Sequence, residues 1–303
     1  IWIGRVTGCS AWTSHAMGVA YALCPTHLAH LATGEISNTQ AWIIPAWLLA
    51  MQGQREGRLG TWRVILFTAL ISLAAAFTSP YLALALPLMA GAWLLPRIIG
   101  YPVSEWIHRC RDRVAGTLGT ALGLIPAWLY YQQDRAGGGE SIFQPARRAL
   151  LETGPLPHPA PIASPESLLW SSGGSAGSPF EPVHSTYLGV VLLGFAIWSL
   201  FRTRGAARSA GLALLCGGAL LAMGPALATG GEVRALGTQP LPMPVYLLEA
   251  LNYPTRIGGL YYRYAVLAVL GATLLSAAGL ATLKHGARWS WALLVLQLLD
   301  ATR

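Results

Sequence analysis

From Val64 to Pro96 the chain runs for 33 residues without one formal charge. As a single helix that run would be roughly 50 Å long, at 1.5 Å per residue, against a bilayer hydrocarbon core of about 30 Å. Two passes fit it, and Thr78-Ser79-Pro80 is the natural break, because proline drives its predecessor out of the helical region. Hydrophobic residues make up 54% of the chain and charged residues 11%, where a soluble domain carries about 25% charged residues. Such a chain is expected to fold as an all-α, polytopic transmembrane helical bundle in a single domain.

The same reading divides the remainder. Trp12–Leu31 is a first span, uncharged but interrupted by His15, His27 and His30. Thr39–Gly53 is a second, short and broken at Pro45, as membrane helices tolerate when neighbours satisfy the freed carbonyl. Arg97–Arg113, with Arg109, Arg111 and Trp106, is a basic, partly amphipathic connector expected along the interface. Val114–Tyr131 is a fifth span, whose Gly116, Gly119 and Gly123 permit a close helix contact. Gln132–Ser185, rich in Gly, Pro and Ser, is the one long polar loop. Tyr187–Phe201, Ala210–Ala228, Ile257–Leu283 and Trp289–Leu299 bring the total to about nine spans. Between two of these lies a second polar excursion, Thr229–Arg256, whose Val245–Leu251 piece suits a short interfacial or re-entrant helix. The chain opens on IWIGR without Met or signal peptide and stops as an apolar run ends, so it is expected to be an excerpt of a longer protein.

Charge sets the orientation. Alternate connectors (Arg5; Arg55–Arg63; Arg97–Arg113; Arg202–Arg208; Lys284–Arg288) hold 13 Lys/Arg and 3 acids, and the opposite side holds 7 and 9. Positive residues mark the cytoplasmic face. Glu35, the Thr78–Pro80 turn, the long loop and the second excursion are therefore expected outside. Trp42, Trp62, Trp93, Trp128, Trp198 and Trp289 fall near expected helix ends, as an aromatic belt does. The net charge of +8 is spent on topology, which excludes nucleic acid as a partner and leaves membrane lipids.

For chemistry the sequence offers little. No HExxH, Walker loop or nucleotide-binding GxGxxG appears, so ATP hydrolysis and dehydrogenase chemistry have no support. Gly173–Ser178 has the glycines of a phosphate nest but neither lysine nor helical frame, and reads as a linker. Cys9, Cys24, Cys110 and Cys216 show no metal spacing and read as inert. Glu35 sits in the polar turn of Thr26–Pro45 and has two readings. It is either a solvated turn residue or a functional carboxylate at the outer surface. His27 and His30 precede it, and a nitrogen with a carboxylate makes a donor set for a divalent cation; packed, hydrogen-bonded histidines are the alternative. Arg256 and Arg263 present planar forks suited to phosphate, or else snorkel to headgroups.

Four pieces, YALCPTHLAHLATGEISNTQAWIIPAWLLAM, AAFTSPYLALALPL, HSTYLGVVLLGFAIWSLF and NYPTRIGGLYYRYAVLAVLGATLLSAAGLATL, carry a resemblance. In that order they resemble the later part of the bacterial YfhO-type membrane proteins and, more loosely, the GT-C glycosyltransferases. The resemblance implies a multi-pass protein of the bacterial cytoplasmic membrane that takes a sugar from a polyprenyl-phosphate donor at the outer face, in cell-envelope glycan synthesis. Glu35 matches the family's second acidic position, which implies a catalytic role and, with His30, a divalent cation such as Mg or Mn. Arg256 and Arg263 would then bind the donor. The family's first outer loop, with its catalytic acid, would precede Ile1, so the excerpt is expected to be inactive alone. A transporter or flippase for an envelope precursor, or a non-catalytic assembly factor, is the alternative.

Overall fold

The long uncharged run breaks at Ser79, whose backbone is extended (φ −153°, ψ 108°) at the end of one helix, and Pro80 opens the next. In this computed structural model the described residues are 2–32, 40, 42–98, 102–136, 154–155, 162–169, 187–230, 232–250 and 261–301, and they are mostly helical. In chain order the helices are α1 (Trp2–Thr7), α2 (Ala11–Ala22), α3 (Pro25–Ala32), α4 (Ile43–Arg55), α5 (Thr61–Thr78), α6 (Pro80–Ile98), α7 (Val103–Ala136), α8 (Pro165–Leu169), α9 (Val190–Arg202), α10 (Ala206–Ala222), α11 (Pro244–Ala250), α12 (Ala265–Ala281) and α13 (Gly286–Ala301). A 3-10 turn, Tyr261–Tyr264, leads into α12. Two-residue strands β1 (Gly154–Pro155), β2 (Ala228–Thr229) and β3 (Glu232–Val233) form an antiparallel sheet in the order β1-β3-β2, and β4 (Ala235–Leu236) and β5 (Gln239–Pro240) pair as a hairpin. The chain forms two compact units, one of Ile1–Ala41 with Ile142–Arg303, the other of Trp42–Ser141.

Three expectations are corrected by local chemistry. The expected first span is two helices, because Pro25 ends α2 and opens α3. Pro45 does not break α4: it is the third helical residue, where the missing N–H would have no intrahelical acceptor anyway. The expected connector Arg97–Arg113 and fifth span merge in part, since α7 runs unbroken for 34 residues from Val103; arginine is a good helix former, so charge alone does not stop a helix.

In the Trp42–Ser141 unit, α5 is long and apolar enough to cross a membrane, at about 27 Å for its 18 residues. Only 22% of its apolar window is buried, whereas the core helix of a soluble protein is mostly enclosed. Trp62, Leu66, Phe67, Leu70 and Phe77 on α5 are exposed, as are Leu118, Leu122, Ile125 and Leu129 along α7. A soluble monomer rarely exposes apolar surface on that scale. The buried face is built on close approach. Gly119 meets Ile65 and Thr68, and Gly123 meets the Ala69 carbonyl, with no space for a Cβ at either. The indole of Trp47 donates to Thr120 Oγ1 at 2.7 Å.

In the other unit the centre is α12, buried at every residue from Ala265 to Leu280. Helices α2, α9, α10 and α13 pack around it. Gly279 lies against Ser199, and Ser276 Oγ reaches the Leu192 carbonyl, so α9 and α12 run parallel. Gly211 lies against Leu275 and Gly218 against Ala268, so α10 runs antiparallel to both. Other apolar helices here, Val190–Arg202, Ala207–Ala222 and Ala265–Ala281, are shorter than α5. These directions bring the ends of α9 and α12 and the start of α10 together. One end of the unit therefore carries Arg202, Arg204, Arg208, Lys284 and Arg288, with no acid in residues 202–209 or 282–289.

Candidate functional site

The opposite end of that unit is where polar groups go inside. It forms because α9 starts without a capping side chain of its own: Gly189, at φ 87°, makes no side-chain cap. Three of the N–H groups that open a helix are instead met by partners from elsewhere. Val190 N–H donates to Tyr187 Oη at 2.9 Å, Val191 N–H to Asp300 Oδ2 at 3.4 Å, and Leu192 N–H to Gln297 Oε1 at 3.2 Å. Tyr187 Oη in turn donates to Asp300 Oδ1 at 2.8 Å. Gly189 is required twice over, since its φ is left-handed and a Cβ there would overlap the Gln297 amide.

Asp300 is 6% exposed and Gln297 0%. A buried carboxylate is costly unless its hydrogen bonds are made. Here both oxygens are engaged, and the positive end of the α9 dipole faces them. The arrangement fixes Asp300 as an anchor joining α13 to α9 across more than a hundred residues of chain. From the other side, Thr26 Oγ1 donates to the Tyr187 carbonyl at 3.2 Å. The next residue, His27, is 3% exposed; its Nδ1 lies 2.9 Å from the Tyr21 carbonyl and 3.3 Å from Cys24 Sγ. A carbonyl only accepts, so Nδ1 carries a proton. Nε2 is buried without a partner among the described residues.

A second buried pair lies at the same end, ahead of α12. Tyr261 Oη donates to Glu249 Oε1, joining the short helix α11 to the turn before α12. Glu249 is 5% exposed and Tyr261 fully buried. The two polar excursions meet here as well, where β1 of the long loop pairs with β3 of the second, and the long loop also reaches the end of α10, Ala163 N–H donating to the Ala222 carbonyl at 2.9 Å.

Of the residues expected from sequence to act, Arg263 is placed by this geometry. It stands in the Tyr261–Tyr264 turn, partly buried and engaged in contacts there. His30 lies on α3, three residues after His27, and its side chain is outside the described set. Glu35, Arg256 and the Gly173–Ser178 run lie outside the described residues. Among the described residues no group of three His, Cys, Asp or Glu side chains converges as a metal cage would require. The cysteines are free, and burial pushes the Cys9 thiol up, away from reactive thiolate.

Tyr187, Gln297, Asp300, Glu249 and Tyr261 are not among the residues that the sequence singles out. Asp300 has one visible signal, an acid at the end of the apolar run Trp289–Leu299. Its partners sit 109 and 113 positions away, and nothing local announces them. Comparison with family models, with curated proteins and with solved structures returned no match to this chain.

Proposed function

We propose that the chain is the later part of a GT-C-like membrane protein of about nine spans. In this reading it sits in a bacterial cytoplasmic membrane and acts on a polyprenyl-phosphate-linked sugar at the outer face. The observation that carries the reading is the polarity of the α12-centred unit. Apolar helices join an end of exposed cations, which the positive-inside rule assigns to the cytoplasm, to an end of buried carboxylates, tyrosines and one arginine. The exposed apolar faces of α5, α7 and α13 support the lipid setting. Arg263 at the polar end suits a donor phosphate, and Arg256 joins it in that role from sequence alone.

Glu35 and His30 are assigned as the ligands of a Mg or Mn ion, with no geometry attached. Such an ion would offset the charge that builds on the leaving phosphate. An enzyme is favoured over a transporter by α12. That central helix is apolar throughout apart from Thr273 and Ser276, both of which bond backbone carbonyls. It offers no charged relay of the kind transport pathways display.

Glu35→Gln tests the reading, because glutamine keeps the shape and removes the charge. In membranes containing the full-length protein and a radiolabelled polyprenyl-phosphate sugar, turnover is expected to fall by about 10²–10³ with insertion unchanged. Wild-type turnover at saturating donor would return Glu35 to a solvated turn residue.

A further inference from the structure

The five cations at the basic end of the α12-centred unit have no acidic partner among the described residues. Arg202, Arg204, Arg208, Lys284 and Arg288 are all exposed, and none forms an ion pair among the described residues. The turn of the other unit is different: Arg58 there pairs with Glu56 at 3.0 Å. Helix α10 also opens at the basic end, behind Gly205, with no side-chain cap and no acid in its first turn. The positive end of a 17-residue helix is thus added to the five side chains, and helix starts of this kind bind phosphate oxygens. Apolar surface begins at once beside the cations. Phe201 is 85% exposed and Trp289 55%, and the Arg202 guanidinium stacks over the Trp198 ring at 5.6 Å.

We propose that this end is a docking surface for anionic phospholipid headgroups, with phosphatidylglycerol as the representative ligand. The phosphodiester meets the cations and the start of α10, while the acyl chains lie along the exposed apolar faces of α9 and α13. A soluble anion would use the first half of that surface only; the adjoining aromatic rim is what selects a lipid. This rests on the membrane-spanning part of the proposed function and is independent of the glycosyl-transfer chemistry at the other end.

The test uses the full chain in nanodiscs of phosphatidylcholine doped with phosphatidylglycerol, reading the lipid retained around the protein by mass spectrometry. Wild type should enrich phosphatidylglycerol, less so at 0.5 M than at 0.05 M salt, because exposed charges are screened (a contrast of roughly 4 Å against 14 Å in Debye length). Arg202→Gln, Arg204→Gln and Arg208→Gln together should weaken that preference by on the order of 10²-fold at low salt. A charge-matched triple variant, Arg55→Gln, Arg58→Gln and Arg63→Gln, should keep most of it. Equal enrichment in wild type and the first triple variant would overturn the site, as would equal loss in both triples. Displacement of the lipid by millimolar inorganic phosphate would show a free-anion site and overturn the assignment to lipid. A chain that does not enter bilayers at all would instead remove the membrane reading itself.

Discussion

The two ends of the α12-centred unit handle charge in opposite ways. At one end Asp300 and Glu249 are enclosed, and their oxygens are answered by tyrosine hydroxyls and by the start of α9. At the other, five cations stand exposed and unanswered among the described residues. A buried charge must be satisfied inside the protein, so it fixes which helices touch. An exposed one costs the fold almost nothing and is available to whatever lies outside. The first end should therefore govern stability, and the second should govern orientation and surroundings.

The largest expected contrast is all-or-none. Ser209 lies in the first turn of α10 at the basic end, and Leu236 is 69% exposed on the hairpin that follows α10 at the other. In a background with the four cysteines replaced, Leu236→Cys in intact cells should react with an impermeant maleimide. Ser209→Cys should react only after permeabilisation. Equal reaction of both in intact cells would break the comparison at its root and remove the outer-face assignment of every candidate residue.

Next in size is Asp300→Ala. It removes the acceptor that Asp300 offers the Tyr187 O–H and the Val191 N–H, and charged hydrogen bonds of this kind are worth about 1.5–3 kcal/mol. Thermal unfolding in micelles should show a loss near the top of that range. Arg204→Gln in the same assay should lie within about 0.5 kcal/mol of wild type, as exposed substitutions usually do. Similar losses for both would mean that the two ends do not differ as described.

Much of the helical framework is legible in the residues alone. The break at Ser79 follows from the length of the uncharged run and from Pro80, two facts that need no tertiary knowledge. Helices α9, α10, α12 and α13 fall inside or near the apolar runs that announce them. What fails is the assumption that a helix ends where hydropathy does. The arginines before Val114 continue α7, and Pro45 sits where a helix start does not need its N–H, whereas Pro25 divides what reads as one span. The polar end is illegible for a different reason. Asp300 acquires its role only when α13 is laid beside α9, and the two sequences carry no mark of each other. Gly119 and Gly123 are the exception among packing residues, because three glycines spaced along one apolar run already imply a neighbour's backbone.

The smaller loss expected at the polar end is also the most discriminating. Tyr187→Phe removes one oxygen and leaves the ring, which is 4% exposed as a residue, to pack as before. That oxygen accepts from Val190 N–H and donates to Asp300, so its loss leaves one backbone donor and one carboxylate site unanswered. The expected cost is about 1–1.5 kcal/mol, below that of Asp300→Ala because Val191 N–H keeps its acceptor. If tyrosine and aspartate act as one network, the double variant Tyr187→Phe, Asp300→Ala should cost less than the sum of the singles by about 0.5 kcal/mol or more. Strict additivity would mean that Asp300 holds α9 through the helix start alone. A cost too small to measure for Tyr187→Phe would go further, leaving the polar end held by apolar packing with its hydrogen bonds as passengers.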